Sequence, residues 1–245
     1  MSIWEISEHK GGALTPRLDK RLSMVAELIE PNRIFVDVGT DHAYLPAFMV
    51  ITGYSPFAVA SDVRIGPLEN ARATVRKYGV EDKVQIILSD GLDEIDGDFV
   101  QEVVIAGMGG ELMCEIIDRA EWLKCKEKAL VLQPMTHAED LRRYLTQNGF
   151  SIVKENAVTD GGRAYCAMRA VYSGEVKEHG EAYFYIGELL SGDITEDIEL
   201  YIKGILKRLK FKADALKDKP EFEGEARRLY MLLDEISGLA LKDLP

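Results

Sequence analysis

Five short runs of apolar, mostly β-branched residues recur within the first 132 residues, and they constrain the fold more than any other feature. They cover residues 34–38, 57–60, 84–88, 103–106 and 129–132, with stretches of helical apolar spacing between them. Strands that are apolar on both faces are typical of a parallel sheet covered by helices. The alternation of strand and helix therefore predicts a doubly wound α/β domain.

After the fifth run, the pattern changes to two strands in direct succession. Residues 151–158 and 164–172 flank a glycine-containing turn at Thr159–Arg163, which predicts an antiparallel hairpin at the end of the sheet. A nicotinamide-binding Rossmann domain is not expected to finish in this way, whereas a terminal antiparallel strand is the usual mark of a class I methyltransferase. The predicted fold class is therefore an α/β, Rossmann-like class I methyltransferase sheet with a terminal antiparallel hairpin.

The last quarter of the chain has a purely helical pattern. Apolar residues between Ile198 and Leu216 fall on one stripe. A second stripe has heptad spacing and consists of Phe222, Ala226, Leu229, Leu233, Ile236 and Ala240. These stripes predict a coiled-coil-like helical hairpin that packs on the main domain or waits for a partner. We expect two domains: residues 1–175, a methyltransferase domain with an N-terminal helix capped at Thr15–Pro16, and residues 176–245, a C-terminal helical domain. The expected state is a monomer or a weak homodimer.

The charge distribution gives two opposing indications about a nucleic-acid partner. The net charge of −12 opposes one, because phosphate contacts need Lys and Arg. Residues 201–219 nevertheless hold seven basic side chains against two acidic ones. This segment is either a solvated helix face or an RNA-docking surface. The candidate RNA contacts are Lys203, Lys207, Arg208, Lys210 and Lys212.

Several features indicate a cytoplasmic protein with no metal and no membrane partner. The three cysteines lack the spacing of a metal site, and residues 1–12 contain charges but no apolar run of the signal-peptide kind. The uncharged stretch 42–61 is interrupted by two prolines and a glycine, so it predicts a buried helix and strand rather than a membrane span.

The strongest local signal is the segment 36–46, VDVGTDHAYLP, at the predicted end of the first strand. Gly39 lets the backbone approach a ligand closely, as is typical of the crevice of an open α/β sheet. Asp37 and Asp41 would repel the pyrophosphate of NAD. S-adenosylmethionine instead offers a cationic sulfonium and an ammonium group, so the acidic loop favours this cofactor. The alternative is that these residues only form turns or caps.

The next strand ends supply further cofactor candidates. Asp62 is placed to accept hydrogen bonds from an adenosine ribose, which NAD and S-adenosylmethionine share. Asp90 is placed to accept one from the adenine amino group, or it lies in an ordinary polar turn. The glycine-rich end of the fourth strand can pass close to cofactor and target, with Met108 as an apolar contact, or it is simply a helix-start loop. The candidates at these ends are Asp62, Asp90, Gly91, Gly107, Met108 and Gly109.

Four segments together resemble the bacterial tRNA (adenine-N1)-methyltransferases that modify adenine 22. They are Asp37–Pro46, Ile105–Gly110, Leu132–Pro134 and Arg17–Leu22, and the helical extension also fits, so the resemblance spans nearly the whole chain. It implies S-adenosylmethionine as cofactor, N1 of adenine as acceptor and tRNA as partner. Met135 departs from the family pattern, in which Asn is expected, so no hydrogen bond to the target is inferred from this position.

The implied reaction suggests four catalytic candidates. N1 of adenine has a free lone pair, so alignment with the methyl group is the main requirement. Asp41 would stabilise the cationic product base. Tyr44 would stack on an extruded base, His42 would hydrogen-bond its amino group or phosphate, and Gln133 would contact a base edge. Alternatively, His42 only caps a helix and Tyr44 belongs to the core.

Other functions remain open at this point. The acidic net charge favours a methyltransferase of a small molecule or a protein. A heptad-bearing, non-catalytic cofactor-binding scaffold is another alternative. An NAD-dependent oxidoreductase is disfavoured by the acidic loop, the missing glycines and the terminal hairpin.

Overall fold

The computed structural model describes residues 14–242, and within this range seven strands form one sheet. In chain order they are β1 (Phe35–Val38), β2 (Ala58–Asp62), β3 (Val84–Leu88), β4 (Glu102–Gly109), β5 (Ala129–Thr136), β6 (Phe150–Asp160) and β7 (Arg163–Tyr172). The strand order is β3-β2-β1-β4-β5-β7-β6. Strands β1 to β5 are parallel, whereas β7 is antiparallel to both β5 and β6. The predicted fold class, including the terminal hairpin, is confirmed.

Helices cover both faces of the sheet and extend beyond it. They are α1 (Lys20–Ala26), α2 (Tyr44–Ile51), α3 (Ile65–Tyr78), α4 (Gly110–Arg119), α5 (Ala138–Gln147), α6 (Glu181–Ile186), α7 (Glu196–Leu216) and α8 (Glu223–Lys242). The buried residues of α1, α2 and α3 form one core with alternate strand residues, and those of α4 and α5 form a second core on the other face. This two-sided burial explains why the strands are almost wholly apolar. Among the described residues, no helix combines the length and apolar character that crossing a membrane would require.

The start of α1 differs from the sequence prediction. Its N-cap is Asp19, whose Oδ1 accepts a hydrogen bond of 2.7 Å from the backbone N–H of Leu22. The predicted cap at Thr15–Pro16 is therefore wrong. An Asp side chain with extended backbone satisfies one of the free N–H groups of the first turn, so the helix begins only after it.

The terminal hairpin has longer strands and a tighter turn than predicted. Gly161 and Gly162 alone connect β6 to β7, with φ values of 55° and 76°. Two successive residues with positive φ form the kind of turn whose twist matches that of the flanking strands, and glycine adopts this conformation without strain.

The C-terminal hairpin packs on the sheet domain through α7, which contacts β6 and β7. The predicted stripe of α7 is buried, but that of α8 needs two corrections. Phe222 is exposed because residues 220–222 form a 3-10 turn before α8 begins, and Leu232 rather than Leu233 is fully buried. The predicted boundary near residue 175 falls between β7 and α6 and stays a prediction.

A buried ion pair ties the helical region to the sheet domain. Arg142 of α5 is fully buried, and its Nε lies 2.9 Å from Oε1 of Glu155 on β6. The Nη1 group of Arg142 also donates to the carbonyl oxygens of Phe184 and Tyr185, each at 3.0 Å. The N–H of Glu188 donates to the second carboxylate oxygen of Glu155. These bonds link α5 and β6 to α6 and to the loop that follows it. This segment lies directly before the helical hairpin in the chain.

Candidate cofactor and substrate site

The carboxyl ends of β1, β2 and β4 meet at one edge of the sheet, where the sequence places most candidate residues. Val38 is paired with Ser61 on one side and with Ile105 on the other. Beyond the strand, the N–H groups of Gly39 and Thr40 both donate to the carbonyl oxygen of Ser61, at 2.8 and 2.9 Å. These bonds hold the loop after β1 against the end of β2, which is the usual position of a ligand crevice in such sheets.

A cavity of about 360 Å³ opens at this edge. Six residues proposed from the sequence line it together, and they come from the end of β1, the β1–α2 loop, the start of α2 and the end of β4. They are Asp37, Gly39, Asp41, His42, Tyr44 and Gly107. The cavity is also lined by Asp19, Arg21 and Leu22 from the start of α1, so α1 forms a wall of the same site.

The backbone around Gly39 leaves no room for a side chain. Gly39 has a φ of 75°, and a Cβ atom there would overlap the methyl group of Met108. Gly107 also has a positive φ, of 84°. Glycine is needed where the backbone turns in this way and approaches another group. Met108 is half-buried and packs close to the glycine loop.

The carboxylate of Asp37 is buried, and nearby positive charge and hydrogen bonds compensate for its burial only in part. It is 8% exposed, and burial raises its pKa to about 6, although a hydrogen bond with Thr40 and the charge of Arg21 act to lower it. Burial wins because a charged carboxylate loses its hydration there. The neighbouring Ser61 hydroxyl is also buried, without a hydrogen-bond partner among the residues that the structure describes. A cationic, hydrogen-bonding ligand would relieve both conditions, so these residues fit the sulfonium cofactor predicted from the sequence.

His42 and Tyr44 form an exposed aromatic pair at the cavity. Their rings stack with centroids 5.2 Å apart and an interplanar angle of 13°. Tyr44 is 41% exposed, so it is not a core residue. His42 does not cap α2, because the N-cap is Ala43, and its side chain instead pairs with Asp41, with Nε2 and Oδ2 3.2 Å apart. Both alternatives considered for these residues are thus wrong, while their catalytic roles stay predictions.

Gln133 occupies a different position from the one the sequence suggested. Strand β5 continues to Thr136, so Gln133 lies within it and is fully buried. Its Oε1 accepts hydrogen bonds from Nη1 of Arg21 at 2.8 Å and from the N–H of Gly107 at 3.2 Å. Its Nε2 donates to the carbonyl oxygen of Pro134 at 3.0 Å. Since all these groups are engaged, Gln133 holds the cavity wall in this structure instead of presenting a free amide to a base.

The other cofactor candidates lie beside the cavity rather than in its lining. Asp62 is buried, and its Oδ1 accepts a hydrogen bond of 2.8 Å from the N–H of Arg64. Asp90 is exposed and pairs with Arg119 at 3.1 Å, next to Gly91 with a φ of 59°. Gly109 is the N-cap residue of α4. Contacts of these residues with an adenosine therefore stay predictions.

The basic candidates lie on α7, and most of them have a carboxylate nearby. Ion pairs join Lys203 to Glu199, Arg208 to Glu139, Lys210 to Asp214 and Lys212 to Glu225. All four basic side chains are more than half exposed. Exposed pairs of this kind are weak, so they leave the cations available to a phosphate.

A second cavity connects this helix with the catalytic edge of the sheet. It has a volume of about 340 Å³ and is lined by Met135 at the end of β5, Arg163 at the hairpin turn and Arg208 of α7, among others. Met135 is 44% exposed. Arg208 is therefore adjacent to the sheet edge that carries the candidate site.

Comparison with known proteins identifies the domain. Residues 18–168 match a family described as a methyltransferase domain. The chain belongs to this family. The matched residues include the whole cavity lining named above.

Individual relatives extend the likeness beyond the methyltransferase domain. The tRNA (adenine(22)-N(1))-methyltransferase of Bacillus subtilis is 32% identical over 149 residues, which cover 61% of this chain and 63% of that protein. This alignment thus spans somewhat less than two thirds of the curated relative. The structure of the B. subtilis m1A22 tRNA methyltransferase TrmK is 26% identical, with a TM-score of 0.79 over 94% of this chain and 100% of that one.

A further solved structure contains a ligand. It is that of Streptococcus pneumoniae Sp1610 in complex with S-adenosyl-L-methionine, which is 29% identical, with a TM-score of 0.76 over 90% of this chain and 99% of that one. Since both structural matches cover at least 90% of this chain, they include helices beyond the methyltransferase domain.

Arg21, like Asp19 and Leu22 beside it, is a residue of the cavity lining that sequence reasoning missed. It belongs to the segment Arg17–Leu22 that carries part of the family resemblance, but its position on a separate helix gave no sign of a place in the cavity. Its hydrogen bond with Gln133 joins residues 112 positions apart, which no local pattern could indicate.

Proposed function

We propose that this protein transfers a methyl group from S-adenosylmethionine to N1 of adenine 22 in tRNA. The observation that carries the proposal is the cavity at the end of β1, which joins a buried carboxylate to an exposed aromatic pair. Membership of the methyltransferase-domain family supports the reaction type. The name of the B. subtilis relative supports tRNA and adenine 22 as the target.

The cofactor is proposed to lie along the strand ends. S-adenosylmethionine, when bound, supplies an activated methyl group on a sulfonium. Asp37 would attract its positive charge, and Gly39 and Gly107 would let the backbone approach it. Asp62 would accept hydrogen bonds from the ribose, and Asp90 would accept one from the adenine.

The target base is proposed to stack on Tyr44. N1 lies on the Watson–Crick edge, so the adenine must leave its pair or stack before it can react. The exposed ring of Tyr44, supported by His42, offers a platform for such a base. N1 is already nucleophilic, so the protein's main task is orientation, and no general base is needed at this atom. The carboxylate of Asp41 would stabilise the positive charge that the base acquires.

The exposed basic side chains of α7 are proposed to dock the tRNA backbone without reading sequence. In this arrangement residues 1–175 perform catalysis, and residues 176–245 act as an RNA-docking domain. Hydrogen bonds of the buried pair Arg142–Glu155 with the backbone of Phe184, Tyr185 and Glu188 join the two regions. A tRNA substrate would be consistent with a cytoplasmic protein. A monomer or a weak homodimer would suffice, because the cavity described above is formed within one chain.

The test is transfer of a labelled methyl group to an unmodified tRNA transcript with adenine at position 22. A second transcript with guanine at this position is the matched control. Label on the adenine transcript alone is expected. Label on both would refute adenine 22 as the target, and label on neither would refute tRNA as the acceptor. A small-molecule or protein acceptor would then become the better explanation of the site.

A further inference from the structure

The second cavity, between the end of β5 and α7, has a positively charged lining although the chain as a whole is acidic. Two arginines line it, Arg163 at the start of β7 and Arg208 of α7. Among the described residues, no carboxylate belongs to this lining. The net charge of the chain is −12. A cavity that collects positive charge in so acidic a chain fits an anionic ligand.

Both arginines are accessible to such a ligand. Arg163 is exposed, and its side chain forms no ion pair or hydrogen bond within the part of the chain that the structure describes. The Arg208 side chain is 56% exposed, and its Nη2 lies 3.2 Å from Oε2 of Glu139. An exposed pair of this kind contributes little, so it does not hold Arg208 away from a ligand. Guanidinium groups bind phosphate oxygens through paired N–H donors.

The rest of the lining suits a nucleobase. It includes Met135 at the end of β5, Tyr165 of β7 and Ile205 of α7. Met135 is 44% exposed, and Tyr165 is half-buried. A polarisable thioether and an aromatic ring are surfaces on which a planar base packs, and a guanidinium plane also stacks on bases. Guanidinium groups beside apolar surface therefore fit a nucleotide better than a bare inorganic anion.

Gln133 bridges the walls of this cavity and of the one at the end of β1. Its Oε1 accepts hydrogen bonds from Arg21 and Gly107, which line the first cavity. Its Nε2 donates to the carbonyl oxygen of Pro134, which lines the second. The two cavities thus lie on the same edge of the sheet, on either side of one side chain. An RNA strand with a base in the first cavity brings a neighbouring nucleotide to the second.

We propose that the second cavity binds a nucleotide next to the target adenine in the same RNA strand. Arg163 and Arg208 contact its phosphate, and its base packs on Met135 and Tyr165. The inference rests on the proposed function, because it requires an RNA whose target base enters the first cavity. A neighbouring nucleotide held in this way keeps the strand open, so the cavity helps to expose the Watson–Crick edge of the adenine.

Gly204 allows the cavity to be filled without removal of a charge. It lines the cavity from α7, and a Cβ atom there would meet no heavy atom within 4 Å beyond its own stretch of helix. Gly204→Leu therefore places a side chain in the cavity, and leucine favours a helix more than glycine does. Gly224→Leu on α8 is the matched control, because Gly224 is exposed, has equally open surroundings and lines neither cavity.

The test measures the affinity of each variant for three tRNAs by filter binding. One tRNA is intact, and the other two have an abasic site at position 21 or 23, which removes the base but keeps the phosphate. Gly204→Leu is expected to lower the affinity for intact tRNA by about 5- to 100-fold, as for one lost base-stacking contact. Its affinity for S-adenosylhomocysteine should not change, which shows that it is folded with an intact first cavity.

The two losses should not add. In the wild type, one of the two abasic tRNAs should bind more weakly than the intact tRNA by a similar factor. Gly204→Leu should bind that abasic tRNA and the intact tRNA equally well, because the base has already lost its site. Arg163→Gln should weaken the binding of all three tRNAs, since each keeps the phosphate. Arg227→Gln, at an exposed position of α8, is the control for this change and should bind like the wild type.

Three results would overturn the proposal. Equal losses of Gly204→Leu for all three tRNAs would make the cavity part of a general docking surface rather than a nucleotide site. An unchanged affinity of Gly204→Leu for intact tRNA would mean that no RNA enters the cavity. A wild-type chain that binds no tRNA would instead refute the proposed function itself, and the inference would fail with it.

Discussion

Replacing Asp37 by Asn should make the folded protein more stable at neutral pH while it weakens cofactor binding. The folded-state pKa of Asp37 is about 6, compared with an ordinary value of 3.8. The folded protein therefore binds more protons than the unfolded chain between these two values. Stability must fall as the pH rises through this window, and the cost of the charged form is complete above it.

The difference between the two pKa values corresponds to at most about 3 kcal/mol in the free energy of unfolding. Asn has nearly the same shape and removes this cost. The stability gain of Asp37→Asn should be small near pH 4 and should grow to about 2–3 kcal/mol above pH 7. Urea unfolding of both proteins across this pH range measures it. Asp41→Asn is the matched control: the Asp41 side chain is 67% exposed, so its stability change should stay within about 0.5 kcal/mol.

A gain that is independent of pH, or a loss of stability at pH 7, would refute this account of Asp37. Cofactor affinity gives the second half of the prediction. The same variant should bind S-adenosylmethionine more weakly at pH 7, because the ligand's positive charge loses its carboxylate partner. Such opposite effects on stability and binding are typical of residues kept for function.

Three further predictions concern the stacking residue Tyr44, the basic side chains of α7 and the buried ion pair Arg142–Glu155. Tyr44→Ala should lower methyl transfer far more than cofactor affinity, with Tyr44→Phe close to wild type in steady-state kinetics; equal losses would contradict stacking. Charge reversal on α7 should weaken tRNA binding. It should also lower the slope of log affinity against log salt by about 0.9 or less for each phosphate that is no longer neutralised. Unchanged binding would remove α7 from the docking surface. The reversed residues are Lys203, Lys207 and Lys210. The control reversals are the exposed Lys77, Lys83 and Lys126. Arg142→Met should lower the free energy of unfolding by about 3–5 kcal/mol, because it leaves Glu155 buried without its cation. Adding Glu155→Met should recover part of this loss. A loss below about 1 kcal/mol for Arg142→Met would contradict the account of the ion pair.

The periodic parts of the sequence predicted the sheet correctly because two-sided burial leaves a plain apolar pattern. The terminal hairpin was also recognisable, since Gly161 and Gly162 mark its turn. Strand ends were less clear. Strand β5 extends through Pro134 to Thr136, although a proline lacks the N–H group that strand pairing uses. The sequence therefore placed Gln133 at the end of the strand, whereas it is buried within it.

The candidate site was predictable only where its residues are close in sequence. Asp37 to Tyr44 form one segment, and the structure places its site candidates in one cavity. Arg21 joins them through packing of α1 against the sheet, which depends on contacts between residues far apart in the chain. The helical hairpin shows the same limit: a strict heptad pattern predicted Leu233, whereas the geometry of the packed helices buries Leu232.

The central claim is methylation at N1 of adenine 22, and nucleoside analysis of the product tests it most directly. A tRNA treated with the protein and S-adenosylmethionine would be digested at neutral pH and analysed by mass spectrometry beside standards, and reverse transcription would locate the modified position. The account predicts 1-methyladenosine, and a reverse-transcription stop next to position 22. N6-methyladenosine, or 1-methyladenosine at another position, would contradict it.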